Sequence, residues 1–84
     1  MDKKSRIATR EYSFTVIYEP IKEGGYQVIV PFLPGLITYG RSFEEARSMA
    51  RDAIICHLEG LKKEQMEIPI EESLVQEKIT IALV

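Results

Sequence analysis

The hydrophobic pattern of this chain changes period once, from two to about 3.6, and that change fixes most of what it can fold into. From Tyr12 to Tyr18, the residues Tyr12, Phe14, Val16 and Tyr18 alternate with Ser13, Thr15 and Ile17. Period-two alternation of β-forming residues predicts a strand with one face buried. Pro20 ends it, because proline cannot donate to a ladder. Lys22-Glu23-Gly24-Gly25 follows as a polar turn whose two glycines are free to take positive φ. A second alternating run puts Tyr26, Val28, Val30 and Phe32 on one face and Gln27 and Ile29 on the other. Two such runs across a Gly-Gly link make an antiparallel hairpin. Pro34-Gly35 is turn chemistry, and Leu36 to Tyr39 reads as a short third strand stopped at Gly40.

The period then lengthens. Ser42-Phe43-Glu44-Glu45 is a capping box, with the Ser42 hydroxyl set to accept from the Glu45 amide and the Glu45 carboxylate to reach back to Ser42. Phe43, Ala46, Ala50, Ala53, Ile54, Leu58 and Leu61 form one broad apolar stripe, while Glu44, Ser48, Asp52 and Glu59 fall opposite. Three alanines in mid-stripe let such a helix lie close on a sheet. It ends between Gly60 and Glu64. Residues 62–78 are a charged connector containing Ile68-Pro69-Ile70, and Ile79, Ile81 and Leu83 alternate with Thr80 and Ala82 as a last strand. The predicted architecture is α+β in two layers, β-β-β-α-β: an antiparallel three-stranded sheet, one amphipathic helix and a C-terminal strand. Residues 1–10 are expected as a flexible basic tail and 11–84 as a single domain.

Length and charge narrow the function. A chain of 84 residues buries only about 60–65% of the surface its unfolded form exposes, so association with a partner or a second copy is a common source of stability. Eleven basic against thirteen acidic residues give a net charge of −2, which supplies no cationic excess for sequence-independent nucleic-acid binding. The four cations Lys3, Lys4, Arg6 and Arg10 read as a solvated tail in preference to a phosphate-seeking arm. No stretch reaches the ~18 apolar residues of a membrane span, and the N-terminus has no apolar segment behind its charges. A cytoplasmic location is expected. The single cysteine, Cys56, forms no internal disulfide and reads as a buried or half-buried small hydrophobe.

A catalytic set is not discernible. His57, the one histidine, lies on the helix's apolar stripe; as a general base or metal ligand it needs companions that the sequence does not supply. Cys56 projects about 100° away from it. A histidine packed in the core or at its rim is the favoured reading. Two-metal nucleases need carboxylates converging from strand centres, whereas Glu11 and Glu19 stand at strand ends and Glu44, Glu45, Asp52 and Glu59 belong to the helix cap or its solvated face. No phosphate loop, nucleophile elbow or zinc motif is present. No catalytic residue, metal or cofactor is expected.

Apolar residues on the wrong side of these elements suggest surfaces instead. Ile55 falls opposite the buried stripe, Ile17 and Ile29 share the sheet face away from the helix, and Leu33 sits at the exit of the second strand. With Ile79 and Ile81 of the last strand, these are the candidate partner or dimer contacts. Open sheet edges and an apolar last strand invite pairing, so a homodimer or higher oligomer is expected.

From Gly25 to Ala53 the chain resembles the HicB-like antitoxins. The matching set is Gly25-Tyr26, then Pro31, Pro34 and Gly35, then Gly40, then Ser42, Glu45 and Ala46 opening the helix; Ile68-Pro69 resembles the family's exit from it. Physically these positions set turns and a cap. The resemblance implies a partial ribonuclease H-like fold without catalytic carboxylates. It also implies a role: neutralising a small HicA-type, mRNA-cleaving toxin by covering its active site. Phe32 and Leu36 depart from the family, which commonly has Asp and Cys there. Many relatives carry a C-terminal DNA-binding segment; none is expected between the helix and Val84, so DNA binding is not expected of this chain. Two other readings stand beside this one: an oligomeric domain of the same fold with no toxin, and a residual nuclease using His57 or the acidic residues.

Overall fold

The structure is a computed structural model that describes residues 10–84. The expected basic tail falls, but for Arg10, outside the described residues. Three short strands and one helix follow in order: β1 (Ile17–Pro20), β2 (Tyr26–Ile29), β3 (Ile37–Gly40) and α1 (Phe43–Lys63). The strands form an antiparallel sheet in the order β1-β2-β3, and α1 lies mainly over β2 and β3. The fold is thus α+β, a three-stranded sheet under one helix.

The β1–β2 turn is closed twice: Gly24 N–H donates to the Ile21 carbonyl at 2.8 Å, and Ile21 N–H donates to the Gly25 carbonyl at 2.9 Å. Gly25 there has φ +85° and lies so near the Gly40 carbonyl that a side chain would collide with it, so only glycine fits. The ladder is shorter than the alternation predicts. Extending the register from Ile17↔Ile29 sets Thr15 opposite Pro31, which has no N–H to offer. Residues 12–16 therefore run on without a ladder, yet Phe14 and Val16 still pack on the core. After Val30 the chain turns. Leu33 N–H donates to Val30 O at 2.9 Å and Leu36 N–H to Leu33 O at 3.0 Å. These two bends bring Val30, Leu33 and Leu36 together as one buried cluster, beside the cluster of Val28, Ala46 and Ala50.

The helix starts as the sequence specifies, with one shift. Ser42 Oγ accepts from Glu45 N–H at 3.1 Å, but the Glu45 carboxylate reaches one residue further back, to the Arg41 N–H at 2.6 Å. It also meets the Arg41 guanidinium, 3.3 Å at Nη2. The Arg41 amide first, and its side chain second, hold the Glu45 carboxyl below its ordinary range. A depressed folded value means that this tie stabilises the helix start above the ordinary glutamate value of about 4.3 and is lost as pH falls through the lowered one. The protection of the amides at residues 42–46 against exchange, relative to an unfolded chain at the same pH, should therefore fall as the pH drops below the ordinary glutamate value of about 4.3. Glu45→Gln should flatten that dependence; an unchanged acid profile in the variant would contradict the assignment. At the other end, Met66 N–H bonds Leu61 O at 2.8 Å and Gln65 N–H bonds Lys62 O at 3.0 Å, with Gln65 at φ 59°. This is a Schellman closure with glutamine where glycine is usual.

The expected C-terminal strand is not seen among the described residues. Residues 66–84 hold no ladder. The connector returns to the sheet only at Glu71, whose carboxylate accepts from Thr15 N–H at 2.6 Å and from the Thr15 hydroxyl. Beyond it Val75, Ile79, Ile81 and Leu83 are exposed. The alternation at residues 79–83 specifies an extended backbone, but a strand also needs a neighbour, and here none of the described strands is beside it.

Candidate interaction surface

Two surfaces collect the apolar residues that the core leaves out. The first is the sheet face away from α1. The register places Ile17, Ile29 and Ile37 in one row across the three strands, because Val28, between Gln27 and Ile29, points at the helix and is fully buried. The next row along is Glu19, Gln27 and Tyr39. Ile17 and Ile29 are half-buried and Ile37 is 61% exposed. The Tyr39 hydroxyl donates to Gly24 O at 3.0 Å, tying the far end of this face to the hairpin turn. Neither Ile37 nor Tyr39 stood out in the sequence. Their alternation with Thr38 and Gly40 across the sheet is the signal that points to them.

The second is a groove of about 750 Å³ between β1, with the segment before it, and the outer flank of α1. It exists because the helix sits over β2 and β3 and so leaves the β1 side of that sheet face uncovered. Its walls include Phe14, Val16 and Tyr18 from the strand side and Ile54, Ile55 and Leu58 from the helix. Tyr18 closes one end, its ring meeting Phe43 edge-on at 4.9 Å between centroids; Tyr26 meets the same ring at 5.7 Å. Arg47 and Arg51 stand along the helix wall.

The predicted contact residues separate accordingly. Ile17 and Ile29 belong to the sheet face, and Ile55, 43% exposed, lines the groove. Ile79 and Ile81 lie on the extended C-terminal arm, about 70% exposed. Leu33 belongs to neither surface: it is 1% exposed, drawn inward because the turn after Val30 reverses the side of the chain that the alternation assigns to it. The motif positions are structural. Gly25 and Gly35 hold positive φ, Ser42 caps α1, and Gly40 and Ala46 are buried against one another.

His57 is half-buried, whereas Cys56, expected to be buried or half-buried, is exposed, because it falls outside the apolar stripe that α1 turns to the sheet. Among the described residues no three His, Cys, Asp or Glu side chains gather as a metal-binding group, and no described helix is long and apolar enough to cross a membrane. What this arrangement can do chemically is bury apolar surface against another chain, through a flat isoleucine row, an open groove and a projecting arm.

The fold and these surfaces define a small two-layer α+β domain that offers apolar contact surfaces. Residues 14–81 match the HicB_like antitoxin of bacterial toxin-antitoxin systems, and the chain belongs to that family, which is one of antitoxins and not of enzymes. It is similar to Antitoxin HicB 1 of Photorhabdus laumondii, 33% identical over 78 residues, covering 93% of this chain but 50% of that protein. It is also similar to a UPF0150 protein of Thermoplasma acidophilum, 38% identical over 68 residues, covering 81% of this chain and 94% of the relative. A UPF0150 protein of Synechocystis is 35% identical over 65 residues, covering 77% of this chain and 82% of its own length. No solved structure gives a significant match.

Proposed function

We propose that this chain works in the cytoplasm as an antitoxin that binds a HicA-type, mRNA-cleaving toxin and neutralises it by covering the active site. Membership of the antitoxin family over most of the chain supports the role. The single structural observation that carries it is the Ile17–Ile29–Ile37 row on the sheet face away from α1, the one helix among the described residues. A row of branched apolar side chains rimmed by Glu19, Gln27 and Tyr39 has the make-up of an interface centre with a polar border. The acidic residues suit the task as well, since a toxin that grips RNA offers cations to pair with them. The same chain self-associates as a homodimer or higher, which offsets the thin stability margin of so small a core.

Co-expression with a HicA-type toxin tests this. The wild-type chain should co-purify with the toxin and restore growth. Ile29→Asp, which sets an unpaired charge in the middle of the row, should weaken the complex by at least about a hundredfold while its α-helical circular dichroism is retained. A complex as tight as that of the wild type would remove the sheet face from the account. A second reading has one observation in its favour: three relatives matched over most of their own length are named UPF0150 proteins, not antitoxins. It is a stand-alone oligomeric domain of this fold with no toxin.

A further inference from the structure

We infer that the C-terminal arm, Lys78–Val84, is exchanged between two copies of the chain, each arm entering the partner's groove beside β1 as the sheet's fourth strand. The inference rests on the self-association proposed above and is independent of the toxin.

Three features of the molecule point to it. The arm has the chemistry of a buried strand without the burial. Ile79, Ile81 and Leu83 alternate with Thr80 and Ala82, yet they are 69%, 70% and 91% exposed. The molecule measures 69 × 27 × 26 Å, and thirteen extended residues from Glu72 span roughly 40 Å, so the arm accounts for the excess length. Its radius of gyration is 17.2 Å, against about 12 Å for a compact domain of this size. The groove offers the converse. It runs along β1, an edge strand, and its apolar walls are Phe14, Val16, Ile54 and Leu58. A strand placed there on the β1 edge gains ladder hydrogen bonds from one side. Every second side chain it carries drops between sheet and helix.

The connector decides which copy supplies the arm. Glu71 is held at Thr15, at the head of the β1 run, and the arm leaves the body from that point. Folding back into its own groove requires a tight reversal within Glu72-Ser73-Leu74-Val75-Gln76-Glu77, a stretch with no glycine, proline or asparagine and with Ser73 as its one, weaker, turn former. An extended linker carries the arm outward to a second copy without a turn. Charge agrees: Glu72 and Glu77 lead the arm in, and the groove that receives it is lined by two cations, Arg47 and Arg51, against one carboxylate, Glu44. Because exchange is reciprocal, two joints form under one two-fold axis and the assembly closes as a dimer.

The full-length chain, without toxin, tests this by multi-angle light scattering at about 20 µM, well above the concentrations at which stable dimers dissociate. The wild type should have twice the mass of one chain, and Ile81→Asp the mass of one, its self-association weakened by at least roughly a hundredfold. Ile81 is mostly exposed in the single chain, so this variant should keep its helical circular dichroism. Ile55→Lys on the groove wall should also weaken the dimer. Mixing the two variants should restore it, since one native arm then meets one native groove, and at the other joint the introduced aspartate faces the introduced lysine. Trypsin should cut after Lys78 slowly in the wild type and quickly in Ile81→Asp. A wild-type monomer would overturn both self-association and exchange. A dimer indifferent to Ile81→Asp would overturn exchange alone and leave the sheet face as the self-contact. Loss without recovery on mixing would take the arm out of this groove.

Discussion

Replacing Gly40 with alanine should lower the thermal midpoint by roughly 15 °C. The β3 strand ends at Gly40 and the helix begins three residues later, so sheet and helix meet there with almost no space between backbones. A methyl group at residue 40 would overlap the Ala46 nitrogen, its Cα and its Cβ. Backbone atoms of the first helical turn have little freedom to give way, so the helix start must lift from the sheet. That movement also separates Phe43 from Tyr18 and Tyr26, whose rings it meets edge-on. Overpacking of this kind costs about 3 kcal/mol, a large share of the 5–15 kcal/mol that a small domain possesses, and each kcal/mol shifts the midpoint by about 4–8 °C at this length. Gly35→Ala is the contrast. Its site is open in space and objects only through its φ of +87°, so about 1 kcal/mol is expected. Thermal unfolding followed by circular dichroism ranks the two. A Gly40→Ala midpoint within about 3 °C of the wild type would contradict the close contact, given the 4–8 °C expected per kcal/mol.

Leu33→Ala should be nearly as damaging, by about 3 kcal/mol within the usual 2–5 for a buried leucine. Leu33 is 1% exposed and joins Val30 and Leu36 against Phe14, Val16, Ala53, Ile54 and Leu58. It is one of the largest fully buried side chains, and in a core this small no second layer closes around the gap left by its loss. The same variant separates core from contact. If Leu33 works inside the protomer, the midpoint drops and the folded fraction still binds its partners at wild-type strength. An unchanged midpoint with weakened binding would return Leu33 to the surface.

Leu33 also shows where the sequence stops being legible. Alternation through Val28 and Val30 is a local property and survives in the structure. The turn after Val30 is set by Pro31 and by two hydrogen bonds between carbonyls and amides three residues apart, and it moves the inward position from Phe32 to Leu33. The shortened β1 ladder has the same origin, since the partner of Thr15 is a proline whose effect is felt only once the register is known. The helix was legible to within a residue because capping and the apolar stripe act within a turn or two, although the Glu45 carboxylate chose the Arg41 amide over that of Ser42. Ile17 and Ile29 were legible as a pair. Ile37 needed the third strand's pairing to join them, and the groove needed the helix's placement over β2 and β3, which no local pattern carries. The last strand is the sharpest case: its residues prescribe an extended conformation, but no described strand of the same chain lies beside it.

The central claim is that this chain acts by contact alone, with a toxin's active site as the surface it covers. Titrating the purified chain into a HicA-type toxin, with a short messenger RNA as substrate, measures that directly. The account predicts that RNA cleavage falls linearly to zero at a fixed stoichiometry of chain to toxin, and that the chain without toxin leaves the RNA intact. Cleavage that persists with the chain in excess, or RNA cut by the chain itself and spared by His57→Ala, would contradict it.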